Sequence, residues 1–394
     1  MKIMFINSVI RQGSTGNIAY NIARYCFEHN NSVSFAFGRG NNENFKIKTY
    51  KIGSNFNFFI HCAKARLFDK SGLYSSFATK KLLKFIEKEK PDLINIHNLH
   101  GYYLNIKMLL NYLLSKKIKV VITLHDCWLF TGHCAYFDYV ECDKWLNCCG
   151  KCPCKKEYPK SILFDNSKRN FLVKKNIFEK FDPRYLSFVS PSNWLIGLAR
   201  QSFLKKFSFN CIPNGVDTNV FKHKIKEDND KFCIIGVAHP WTKRKGLSDY
   251  ILLSRLLPCE EYSITLIGLS KKQIKVCTES GIIGIGKVGL SELTNYYQKA
   301  DLFVNFTYED NYPTVNLEAI SCGTPVLTYD TGGSKESALN TPYIIKKGDV
   351  DGAASLIQNI KKDFVKDNLF NEKDISSEKM CERYLSYFYE KVNE

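Results

Sequence analysis

The stretch YEDNYPTVNLEAISCGTPVLTYDTGG, Tyr308 to Gly333, sets the acids Glu309, Asp310 and Glu318 around the start of one expected helix. Pro313 suits the first turn of that helix, and Gly323 followed by Pro325 suits its end. Glu318 then lies one turn beyond Thr314 on the same face. Free backbone N–H groups at Thr314, Val315 and Asn316 would face an incoming phosphate, and the Glu318 carboxylate is suited to accept hydrogen bonds from sugar hydroxyls. Together these are the components of a pocket for a sugar carried on a diphosphate. The plainer alternative is an amphipathic helix whose Glu318 is a solvated acid.

Cations for such a ligand stand in HPWTKRKG, His239 to Gly246. Arg244 offers a planar fork of donors and Lys245 a point charge, both suited to a phosphate that gains negative charge as it departs. His125 ends the apolar run VVITLHD, and a histidine there can hydrogen-bond a sugar, with Asp126 to orient it or to touch an acceptor. GSTGNIAYNIA, from Gly13, places small residues including Gly16 where a strand would pass into a helix, a second place for backbone N–H groups to approach phosphate. Close packing of helix on strand is the ordinary use of such glycines. An irregular excursion from His133 to Lys160 holds Cys134, Cys142, Cys149 and Cys152, a possible tetrahedral set for a structural zinc, with free or redox-active thiols as the alternative. Trp128, Tyr136 and Trp145 nearby are expected in the core, with sugar stacking the rival use.

These residues need a scaffold that brings loops together at one sheet edge. Apolar runs at Lys2–Asn7, Val33–Phe37, Leu93–Ile96, Lys119–Leu124 and Leu186–Val189 alternate with helical patterns, the rhythm of an open parallel sheet covered by helices. A second rhythm runs from Phe232–Val237 through Ser263–Ile267 to Leu302–Phe306. The expected organisation is therefore α/β, with two doubly wound Rossmann-like domains facing across a cleft: residues 1–210 with the Cys-rich insertion 133–160, a polar linker 211–230, residues 231–375, and a helix in 376–394.

Asp310 and Glu318, with seven residues between them and a small-residue, Gly, Pro, Val tail, resemble the signature of the retaining glycosyltransferases of family four. The first acid of that signature is usually Glu, so Asp310 is a departure, and Glu309 is a second candidate for the same role. The DNYPT variant resembles a branch associated with bacterial surface polysaccharides such as capsule, O-antigen and exopolysaccharide. The resemblance spans nearly the whole chain. It implies the GT-B fold, with the terminal helix crossing back to the first domain, and transfer from a nucleotide diphosphate sugar to a lipid-linked acceptor. It also implies roles. His125 supports the reacting sugar; Gly16 approaches the diphosphate or the acceptor; Arg244 and Lys245 hold the diphosphate. Asp310 or Glu309 holds the sugar beside the backbone of Thr314 and Val315, and Glu318 holds the ribose. A front-face mechanism is the family's expected route, a nucleophilic carboxylate the alternative, and no metal is required for catalysis.

The 394 residues exceed what one core usually serves, and no apolar run reaches the ~18 residues of a membrane span. The expected location is cytoplasmic, with peripheral contact to the inner face of the cell membrane favoured by a net charge of +17. Most of the 15 cysteines are then expected to be reduced. A non-catalytic scaffold of the same fold, a basic zinc-containing nucleic-acid binder and a sugar-nucleotide epimerase or phosphorylase are the rivals. The scattered lysines and arginines disfavour nucleic acid as a partner.

Overall fold

The computed structural model describes residues 1–40, 46–224, 230–339, 341–362 and 375–394. They form two compact units, one made of Met1–Pro213 with Met380–Glu394 and one of Asn214–Lys379.

The first unit is built on seven parallel strands: β1 (Lys2–Val9), β2 (Ser32–Arg39), β3 (Lys48–Lys51), β4 (Leu93–Ile96), β5 (Lys119–Thr123), β6 (Leu186–Ser190) and β7 (Ser208–Cys211). Their order across the sheet is β3-β2-β1-β4-β5-β6-β7. Central strands such as Lys2–Val9 are apolar without alternation because helices cover both faces of the sheet. Within β1 the side chains still divide by face: Met4 and Ile6 join one core with Leu82 and Leu109, while Ile3 and Phe5 join the other with Ile22. That second core is completed by Met380, Tyr384 and Phe388 of helix Ser377–Asn393.

The second unit carries six parallel strands: β8 (Phe232–Val237), β9 (Tyr262–Ile267), β10 (Ile283–Ile285), β11 (Leu302–Asn305), β12 (Val326–Tyr329) and β13 (Ile344–Ile345). Their order is β10-β9-β8-β11-β12-β13. Strand order therefore reverses between β1 and β4 in one sheet and between β8 and β11 in the other. At such a switch point the loops leaving the strands diverge and open a crevice at their carboxyl ends.

The two α/β units agree with the expected fold class. Several boundaries differ. Much of the segment expected as a linker is structured: Cys211 closes β7, Val216 pairs with Ser376, and Phe221 is buried. Residues 225–229 of that segment lie outside the described residues. Helix Ser167–Phe178 is preceded by a loop, because the backbone N–H groups of Ile162 and Phe164 donate to the carbonyls of Arg66 and Leu67 and hold that tip. Edge strands β3 and β7 and helices Asn55–Phe68 and Lys271–Glu279 were not anticipated.

Candidate active site

In the second unit, the loops that leave β8 and β11 at the switch point meet. Gly246 has φ +69°, and a Cβ there would stand 2.2 Å from the Phe306 carbonyl oxygen, so only glycine lets the cationic loop press against the exit of β11. The Arg244 carbonyl then accepts from Tyr308 N at 2.8 Å, which fixes the two loops together. Gly332, φ +54°, makes the matching approach from the loop after β12, where a Cβ would meet the Asp310 carbonyl oxygen at 2.3 Å.

This scaffold brings Arg244, Lys245 and Asp310 together. Lys245 Nζ is 2.5 Å and Arg244 Nη1 3.4 Å from Asp310 Oδ2, and Asn311 N donates to Asp310 Oδ1 at 2.9 Å. Burial opposes ionisation of Asp310, but the adjacent Lys245 and Arg244 outweigh it and hold the carboxyl below its usual range. Burial lowers the Lys245 pKa against the pull of Asp310. The Asp310 side chain thus orients the cations, and the Glu309 side chain is fully buried while its carbonyl accepts from Arg244. Asp310 keeps a partly exposed side chain beside those cations, and Glu309 presents its backbone carbonyl to them.

Helix Thr314–Ser321 starts at Pro313 with no side-chain cap. The N–H groups of Thr314 and Val315 have no partner among the described residues, whereas Asn316 N bonds to the Pro313 carbonyl at 3.2 Å and is not free as expected. Glu318 lies one turn further, accepting from Thr314 Oγ1 at 3.2 Å and Tyr297 Oη at 3.1 Å. Burial pushes its pKa up to about 7 despite those two hydrogen bonds. Beneath the loop, Asp249 accepts from Tyr308 Oη at 2.8 Å and Tyr329 Oη at 2.6 Å, and Asn316 spans from Asn305 to Ser334 and Ser337. The sequence signalled neither Asp249 nor Tyr297, and Asn316 only through its backbone N–H, because the side-chain partners that build this frame are between 11 and 80 residues away.

In the first unit, His125 sits just past β5 beside His97, which follows β4. The hydrogen bonds determine which ring nitrogens carry protons. Asn95 Nδ2 donates to the Val121 carbonyl and to Thr123 Oγ1, both at 3.1 Å, so Asn95 Oδ1 is the acceptor that faces His97 Nε2 at 2.8 Å. His97 then has a lone pair on Nδ1, which accepts a hydrogen bond from His125 Nε2–H at 2.8 Å. Burial lowers the His125 pKa to about 4, with Asp126 raising it and His100 lowering it, so the ring is neutral near pH 7 and its Nδ1 is an acceptor. Asp126 itself bonds His100 Nε2 at 2.8 Å and Trp128 N at 2.9 Å. Gly16 lies in helix Gly13–Glu28 with Val9 Cγ2 only 3.1 Å from where a Cβ would be, the close packing that a glycine permits.

Of the four cysteines expected as a zinc set, Cys134 is buried and Cys142, Cys149 and Cys152 are half-buried. Cys134 hydrogen-bonds through its side chain with Cys152 and Cys154, and Cys149 Sγ accepts from Gly132 N at 3.1 Å. Among the described residues no group of three or more His, Cys, Asp or Glu is placed to hold a metal ion. Apolar packing supports this excursion: Phe130, Phe137 and Trp145 form a buried aromatic cluster, and Lys174 lies 3.9 Å over the buried Trp128 ring. The two tryptophans are core residues.

Residues 15–220 match the family described as Glycosyltransferase Family 4, and residues 216–374 match the one described as Glycosyl transferases group 1. The chain belongs to glycosyltransferase family 4. This glycosyltransferase is 25% identical over 354 residues, 85% of each chain, to an Escherichia coli strain K12 protein named as a colanic acid biosynthesis glycosyl transferase, WcaC. Sucrose-phosphate synthase from Thermosynechococcus elongatus has the same fold, with a TM-score of 0.69 at 14% identity over 99% of this glycosyltransferase and 98% of its own chain. HepE of Anabaena, solved in complex with UDP-glucose, has a TM-score of 0.64 at 14% identity over 99% and 100% of the two chains. Among the described residues of this glycosyltransferase, no helix is long and apolar enough to cross a membrane.

Proposed function

We propose that this glycosyltransferase moves a sugar, with retention, from a nucleotide diphosphate donor to a lipid-linked glycan during synthesis of a bacterial surface polysaccharide. The observation that carries the donor reading is the convergence at the second switch point: Lys245 and Arg244 held on Asp310, followed by the free N–H groups of Thr314 and Val315 one turn before Glu318. The likeness to WcaC, and to HepE solved with UDP-glucose, supports the polysaccharide and nucleotide-sugar parts.

In this reading the donor diphosphate lies against Lys245, Arg244 and the helix N-terminus, and Glu318 accepts from the ribose hydroxyls. The acceptor hydroxyl attacks the anomeric carbon on the face from which the phosphate leaves. The C–O bond to phosphate breaks as the new glycosidic C–O bond forms, and the departing phosphate oxygen takes the acceptor proton. Charge on that oxygen grows along the reaction, so fixed cations stabilise the transition state more than the ground state. These cations supply neutralisation without a divalent metal. His125, through its acceptor Nδ1, takes a hydrogen bond from a hydroxyl of the reacting sugar. The site of action is the cytoplasm.

The test is the melting shift of the purified protein with UDP-, GDP-, ADP- and dTDP-sugars and their free diphosphates, since a ligand of the folded state raises stability. A shift with one nucleotide that Lys245→Met abolishes supports the donor reading and names its base. No shift with any nucleotide would overturn it.

A further inference from the structure

Helix Asn55–Phe68 has its apolar side outward. His61 and Ala65 are its buried residues, while Phe56 is 71% and Phe59 67% exposed. Phe56, Phe59, Ile60, Ala63 and Leu67 recur at the three- and four-residue spacing that puts them on one stripe of the helix, opposite the buried pair. The stripe does not end with the helix. The backbone bonds from Ile162 and Phe164 to Arg66 and Leu67 tie the tip Ile162-Leu163-Phe164 to its last turn, and Phe164 stacks on Phe68 at 5.6 Å. Leu163, at the centre of that tip, is 61% exposed.

Charge borders this apolar surface with one sign. The helix contains Lys64 and Arg66 and no acid, and the following Asp69 is buried, bonded to His133 and to Asn166 N. Residues 55–68 and 155–165 together hold five cations, Lys64, Arg66, Lys155, Lys156 and Lys160, against the two acids Glu157 and Asp165. Lys155 reaches the tip itself, donating to the Leu163 carbonyl at 3.3 Å. Large side chains exposed on a helix edged by lysine and arginine suit the boundary between headgroups and acyl chains, where apolar burial and attraction to anionic lipid act together.

We propose that the outward stripe of helix Asn55–Phe68, continued by the Ile162–Phe164 tip, is the surface by which this protein docks on a membrane of anionic phospholipid. The net charge of +17 adds long-range attraction to the same partner. The proposal rests on exposure and charge in the first unit alone and is independent of the donor chemistry assigned to the second.

The experiment is co-sedimentation of the full chain with vesicles of phosphatidylcholine alone and of equal parts phosphatidylcholine and phosphatidylglycerol, at low and high salt. The comparison is the double variant Phe59→Asp, Leu163→Asp, whose side chains already face water. Wild type should pellet with the anionic vesicles, the double variant should partition at least ~10-fold less, and salt should weaken binding. Equal partition of the two proteins would overturn the proposal, as would equal binding to neutral and anionic vesicles. A concentration-dependent dimer of the wild type that the variant abolishes, without vesicle binding by either, would assign the patch to a second copy and also overturn it. Unchanged melting of the variant, with and without nucleotide, separates a docking defect from misfolding and from loss of donor binding.

Discussion

Replacing Glu318 with glutamine should make the protein more stable at alkaline pH while removing donor binding. An unfolded glutamate ionises near its ordinary 4.5, whereas burial raises folded Glu318 to about 7. The folded state therefore binds this proton more tightly than the unfolded one. Its favourable contribution is complete below pH ~4.5, falls as pH rises towards about 7, and is lost above that. The difference between these values corresponds to ~3 kcal/mol against the folded, ionised form at pH 8. Glu318 keeps some contact with solvent, which brings the expected measurable effect to ~1–2 kcal/mol. Glutamine retains an acceptor for Tyr297 and gains a donor for Thr314, so little packing is lost. Scanning calorimetry of wild type and Glu318→Gln at pH 4.5 and pH 8 should show the variant melting higher at pH 8 by ~2–8 °C and equal at pH 4.5. The variant should lose the melting shift given by donor nucleotide, because it no longer offers a carboxylate to two hydroxyls. Equal stabilisation at both pH values, or none at pH 8, would refute the reasoning from burial.

Lys245→Met should lower turnover by ~10²–10³-fold in a transfer assay, as expected for removal of a fixed group that stabilises developing charge. His97→Phe removes the acceptor for His125 Nε2. Nitrogen-15 shifts should report His125 protonated on Nε2 in wild type and a tautomer mixture in the variant, with turnover reduced and donor affinity unchanged; Nδ1 protonation in wild type would refute the assignment. Gly246→Ala adds a Cβ at φ +69° against the Phe306 carbonyl and should destabilise the second unit by ~1–3 kcal/mol, measured by chemical denaturation, with loss of donor binding.

The parallel sheets were legible because their central strands are buried on both faces and appear as short apolar runs, as in KIMFINSV. Edge strand β3, KTYK, has no such run, since half of its surface is not covered by neighbours. Helix Asn55–Phe68 carries a legible helical spacing of Phe56, Phe59, Ile60, Ala63 and Leu67 and a capping Ser54, yet only the fold reveals that this stripe faces away from the core. In the candidate site, Lys245, Asp310 and Glu318 carry their chemistry in residue type and local spacing. The direction of their side chains is set by distant partners. Tyr297 is 21 residues from Glu318, and Lys245 reaches Asp310 over 65, so sequence could place Asp310 beside a sugar but not on a lysine.

Because Tyr384 and Phe388 share a core with Phe5 and Phe35, one face of the first sheet is completed by residues that leave the ribosome after the whole second unit. Until Met380–Glu394 has been made, the aromatic side of β1 and β2 lacks its cover. The first unit therefore cannot close its core from its own N-terminal segment, and the face of Phe5 and Phe35 waits for the last helix to shield it from aggregation.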